Sequence, residues 1–137
     1  MSKASDLARL MTSGSTAVHG EASVTASGST GLTTNLQQGL TKHWLNLDGT
    51  GTIAITDSFN CASVTDDGTG DYDPFFTNNM SNSGYSVSGS CPSGSGDASV
   101  TSFGSLATNK YRLLTTDGGS NLEDQDPVMS KLNGDLA

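Results

Sequence analysis

Residues 44–76 read WLNLDGTGTIAITDSFNCASVTDDGTGDYDPFF. Three short apolar segments are separated here by two glycine-containing turns, one at Asp48, Gly49, Thr50 and Gly51, the other at Asp67, Gly68, Thr69 and Gly70. Asp-Gly between alternating runs is a strong hairpin signal, because the turn needs positive φ and glycine takes it without a Cβ clash. The spacing predicts a β-meander. Leu45 and Leu47 fall on one face of the first strand, residues 41–47, and Trp44 on the other. Ile53 and Ile55 mark a strand over 52–57, and Ala62 and Val64 one over 60–65. Tyr72, Pro74 and Phe76 share a face of the next. Pro74 cannot donate to a ladder, which predicts an edge strand or a bulge there.

The same pattern continues at residues 85–90, 98–103, 111–116 and 127–132, divided by Gly, Ser and Asn. Short strands at this spacing predict a mainly β fold: an antiparallel β-sandwich, jelly-roll or immunoglobulin-like, of about 7–8 strands. The loops at 78–84, 92–96 and 117–126 are the longest and the natural places for recognition.

Upstream, residues 2–11 read as a short helix. Ser2 is its N-cap, Ala4, Leu7, Ala8 and Met11 follow helical spacing, and Gly14 ends it. With Leu10 these residues form a candidate docking or oligomerisation face; a helix folded back on its own sheet is the alternative. Residues 12–42 are rich in Ser, Thr, Gly and Ala. There Val18, Gly20, Ala22, Val24 and Ala26 alternate as in a strand, although a linker gives the same pattern by chance, and 27–35 reads as a loop. The expected division is a docking or trimerising arm over 1–40 and a sandwich domain over 41–137.

Composition narrows the function classes. The chain has 137 residues, of which 38 are Ser or Thr and 17 are Gly, and only 33% are apolar. That supports one thin core, and a thin core predicts stabilisation by copies of the same chain or by a larger body. The net charge is −8 with six basic residues, which disfavours nucleic acid and anionic membranes, since both need Lys and Arg. No run approaches the ~20 apolar residues of a membrane span. Asp6 and Arg9 interrupt the N-terminal apolar pattern, so no signal peptide is expected and synthesis in a cytoplasm is. There Cys61 and Cys91 are expected as separate reduced thiols, although one disulfide remains open.

No catalytic, cofactor or metal motif stands out. Gly-x-Ser-x-Gly and the phosphate-cradling Gly-x-x-x-x-Gly-Lys are both absent. Cys61 and Cys91 have no nearby His or basic residue to activate a thiolate, and His19 and His43 lack zinc spacing. Asp66, Asp67, Asp71 and Asp73 could hold Ca²⁺, but Gly stands where ligands belong and hairpin turns favour Asp anyway. Trp44, Tyr72, Tyr85 and Tyr111, with Asp57, Asp67, Asp71 and Asp73, are the residue types of a sugar site; core packing is the default use of such aromatics.

Three stretches carry a resemblance. They are KHWLNLDGTGTIAI at 42–55, SFNCASVTDDGTGDY at 58–72, and Phe76, Thr77, Met80 followed by YSVSGS at 85–90. Together they are similar to a β-domain of the tail fibre-like virion proteins of tailed bacteriophages, marine ones in particular. The opening MSKASDLARL resembles the start of such proteins. The resemblance covers about fifty residues. It implies a virion structural protein, assembled in the host cytoplasm, a homotrimer that contacts other virion proteins and displays its β-domain to a host glycan or protein. It implies no enzyme activity, cofactor or catalytic residue. Pro74, a C-terminus less apolar than the usual closing strand and a short arm without a shaft depart from the pattern. That brevity keeps a capsid decoration or cement protein as the alternative, with a small depolymerase or a cellular carbohydrate-binding module behind it.

Overall fold

A computed structural model describes residues 23–25, 33–35, 39–91 and 100–137. The expected helix at 2–11, with Ala4, Leu7, Ala8, Leu10 and Met11, the alternation at 18–22 and the loop at 92–96 lie outside the described residues. The chain divides into two compact units, Met1–Gln37 and Gln38–Ala137. In the first, β1 (Ser23–Thr25) pairs antiparallel with β2 (Thr33–Asn35), Val24 opposite Thr34. The end of the expected loop at 27–35 is therefore strand.

In the second unit the described residues from Thr41 onward form strands and their connections, with no helix. Its strands are β3 (Thr41–Asp48), β4 (Ala54–Phe59), β5 (Cys61–Gly68), β6 (Asp71–Phe76), β7 (Ser86–Ser90), β8 (Val100–Gly104), β9 (Arg112–Thr116) and β10 (Val128–Asn133). They form two antiparallel four-stranded sheets, ordered β4-β3-β10-β7 and β5-β6-β9-β8. The inward residues of both meet in one core: Leu45 and Leu47 of β3 with Val128 and Leu132 of β10, against Tyr72 and Phe76 of β6 and Leu113 of β9. Alternation explains this, since every second side chain of a strand points to the same face. The arrangement is sandwich-like, with a strand order different from the ABED/CFG order of immunoglobulin domains.

The expected meander is not formed. β3–β4 and β5–β6 are hairpins, but they belong to different sheets. The chain changes sheet at Asn60, whose φ of 56° turns the backbone in a single residue. Asparagine tolerates this left-handed conformation better than most residues. The Asn60 side chain fixes the corner: its amide donates to the carbonyls of Lys42 (2.9 Å) and Asn78 (3.1 Å), and its Oδ1 accepts from Asn78 N (2.7 Å).

Pro74 is also not at an edge. β6 lies between β5 and β9, and Pro74 pairs with Val64 without a bulge. Its missing N–H faces β9, where Tyr111 N donates to Pro74 O at 3.4 Å and proline has no N–H to donate in return. The loss is one ladder bond. Ion pairs Asp71–Arg112 and Asp73–Lys110, both from β6 residues before Pro74, tie β6 to β9 and to the segment just ahead of it.

The two Asp-Gly turns converge on the segment before β10. Tyr72 Oη donates to Asp124 Oδ1 (3.0 Å) and Gly49 O (3.2 Å). Gly70 N donates to the same Asp124 oxygen (2.6 Å), and Gly49 N to Gln125 O (2.9 Å). Gly49 is required for this close approach, since a Cβ there would strike the Tyr72 hydroxyl. Gly70 is required twice over, with φ +63° and a Cβ position only 2.5 Å from Thr115 O.

Candidate functional site

The core consumes most of the aromatics. Tyr72, Tyr85 and Tyr111 are buried, as core packing predicts. Tyr111 stacks on Phe76 (centroids 5.8 Å apart) and meets Phe103 (6.1 Å). Beside it His43 is fully buried. Its Nδ1–H donates to Asn60 O (3.2 Å), which leaves Nε2 to accept from Tyr111 Oη (3.0 Å), and Ser130 Oγ then donates to Tyr111 (2.6 Å). This chain joins β3 of one sheet to the start of β9 in the other and back to β10. It satisfies polar groups that burial would otherwise leave unpaired. Burial pushes the His43 pKa down, partly opposed by its bond to Asn60.

Three of the four carboxylates of the second hairpin are engaged within the fold. Asp71 is held by Arg112 and Asp73 by Lys110, while Asp66 Oδ1 accepts from Gly68 N (3.0 Å). Among the described residues no group of three or more His, Cys, Asp or Glu is placed to hold a metal ion. Cys61 and Cys91 are thiols outside any disulfide, Cys61 half-buried and Cys91 buried. Burial pushes the Cys61 thiol up, away from thiolate chemistry.

Two of the three expected recognition loops are tied down. Asp117 Oδ1 accepts from Gly119 N and Asn121 N (both 2.8 Å), folding 117–121 onto itself. Met80 N donates to Thr108 O and Ser81 N to Asp135 O (both 2.8 Å), strapping 78–84 to neighbouring segments.

The accessible chemistry lies instead on a sheet face. On β4-β3-β10-β7 the residues opposite in parity to the core point outward. Register places Phe59, Trp44, Lys131 and Ser88 in one row across the sheet, and Asp57, Asn46, Met129 and Ser90 in the next. Phe59 is 51% exposed and Met129 38%, while Trp44 is half-buried. A groove of about 460 Å³ runs over β10 and β7, walled by Trp44, Asn46, Met129 and Lys131, with Ser88 and Ser90 on its low side. The small β7 side chains leave it open. Asn46 Oδ1 is buried and has no hydrogen-bond partner.

No family model, curated protein or solved structure matches the chain.

Of the sugar-site residue types singled out from sequence, the fold brings only Trp44 and Asp57 onto one face. Tyr72, Tyr85 and Tyr111 are core, and Asp71 and Asp73 are paired on the other sheet. Sequence reasoning missed Phe59, Asn46, Met129 and Lys131 as a group. Trp44 carries the signal that could have found them, since it stands out of phase with Leu45 and Leu47.

Proposed function

We propose that the chain is a structural protein of a tailed-phage particle, of the tail fibre or tail-appendage type, and not an enzyme. Residues 38–137 are the displayed β-sandwich, and the outer face of β4-β3-β10-β7 is its contact surface for the host envelope. Residues 1–37 attach it to other virion proteins and to its copies in a homotrimer. The observation that carries the reading is the Trp44 face: a chain with eight aromatics and a thin core leaves Trp44 and Phe59 outside, beside a groove. Apolar patches rimmed by polar groups mark interaction sites. The stretches that resemble virion proteins supply β3 to β7, and so the Trp44 side of this face.

Immunogold electron microscopy of purified virions, with an antibody to residues 41–137, tests the assignment. Gold on the tail or its fibres is the expected result. Gold over the head would replace the reading with a capsid decoration protein, and unlabelled particles would end the virion reading altogether.

A further inference from the structure

We propose that the groove beside Trp44 binds an acidic saccharide, with a sugar ring stacked on the indole, its carboxylate on Lys131 Nζ and a hydroxyl donating to Asn46 Oδ1. The proposal rests on the reading of this face as the host-contact surface and names what the surface takes.

Three features of the groove call for such a ligand. A pyranose presents a face of C–H groups with partial positive charge, which suits the negative face of an aromatic ring. Trp44 offers one at the wall of the groove, with Met129 in the next row. The unpartnered Asn46 Oδ1 asks for a donor, because a buried acceptor without one is costly. Sugar hydroxyls supply donors, and Ser88 and Ser90 opposite can both donate and accept.

Charge decides the class. Of the basic residues described, Arg112 and Lys110 are bound to Asp71 and Asp73. Lys131 is exposed, lies across from Trp44 in the register and has no ion-pair partner among the described residues. In a chain of net charge −8, a cation left facing a groove points to an anionic group on the ligand. Asp57 sits on β4, on the far side of Trp44 from Lys131. The acid of the ligand is therefore directed toward β10, away from Asp57. A volume of about 460 Å³ lies within the roughly 300–1,000 Å³ of ligand sites.

Trp44 is the only tryptophan, so the emission of the intact chain reports on the groove alone. The chain is titrated with trigalacturonate, with 3′-sialyllactose and with neutral maltotriose, and calorimetry is run in parallel. The expected result is a saturable emission shift with at least one acidic sugar, with maltotriose weaker by about tenfold or more, the scale of one charge-assisted contact. Lys131→Gln should weaken the acidic sugar by about the same factor, and Trp44→Ala should abolish the calorimetric signal with the circular dichroism unchanged. The proposal is overturned by no shift with either acidic sugar, by equal binding of maltotriose, or by an emission that changes with protein concentration alone. The last would show a second copy covering the face. None of these outcomes alters where gold falls on the virion, so the two readings fail separately.

Discussion

Replacing Tyr111 with Ala is expected to leave little folded protein. An aromatic-to-Ala change in a well-packed core costs about 3–5 kcal/mol. Here it also removes the hydroxyl that serves His43 and Ser130, at about 1–3 kcal/mol for buried groups left without partners. Against the roughly 5–15 kcal/mol total stability of a domain, and toward the low end for a core this thin, the sum approaches the whole. Tyr111→Phe separates the two effects. It keeps the ring on Phe76 and Phe103 and deletes only the hydroxyl, so urea unfolding should show a loss of about 1–3 kcal/mol. A Tyr111→Phe chain as stable as the parent would mean that the His43–Tyr111–Ser130 chain contributes nothing.

Acidification should weaken the fold well above the range in which carboxylates titrate. In the unfolded chain His43 takes up a proton near its ordinary pKa of about 6.5. In the folded chain burial holds that pKa lower. The unfolded state therefore binds more protons between the two values. The contribution is complete above about pH 6.5 and is lost as pH falls toward the folded pKa, by up to about 1.4 kcal/mol per pH unit. Asp48, bonded to Thr50, Asp71, bonded to Arg112, and Asp117, bonded to Asn121, have pKa values lowered by those bonds. Their share is lost only below about pH 4, so the window from 7.5 to 5.5 belongs to His43. Urea midpoints should fall across that window in the parent and stay nearly level in His43→Gln, whose side chain keeps a donor and an acceptor but no titration. Equal midpoints in the parent at both pH values would contradict a buried neutral His43.

Strands were most legible where burial alternates with parity, as in β3, β9 and β10. Leu45 with Leu47 and Tyr72 with Phe76 mark inward faces, and the strands expected after Thr41 form in the described residues. Pairing was less legible, because it depends on events one residue wide. The corner at Asn60 looks in sequence like continued alternation through Phe59, Asn60 and Cys61, yet it moves the chain to another sheet. Pro74 lies in an interior strand, where its missing donor removes one ladder bond to β9. His43 reads as a polar residue at the start of a strand, and nothing local announces that Tyr111, 68 residues away, will complete its hydrogen bonding. The candidate site follows the same rule. Trp44 was visible as an outward residue, but its neighbours Phe59, Lys131 and Met129 come from β4 and β10 and meet it only through register.

The central claim is that the Trp44 face is what the particle presents to its host. Host cells are incubated with excess purified chain before the phage that carries it is added, and free phage is counted. The account predicts slowed adsorption with the parent chain and none of that effect with a folded Trp44→Ala chain. Adsorption unchanged by the parent chain, or slowed equally by both, would contradict it.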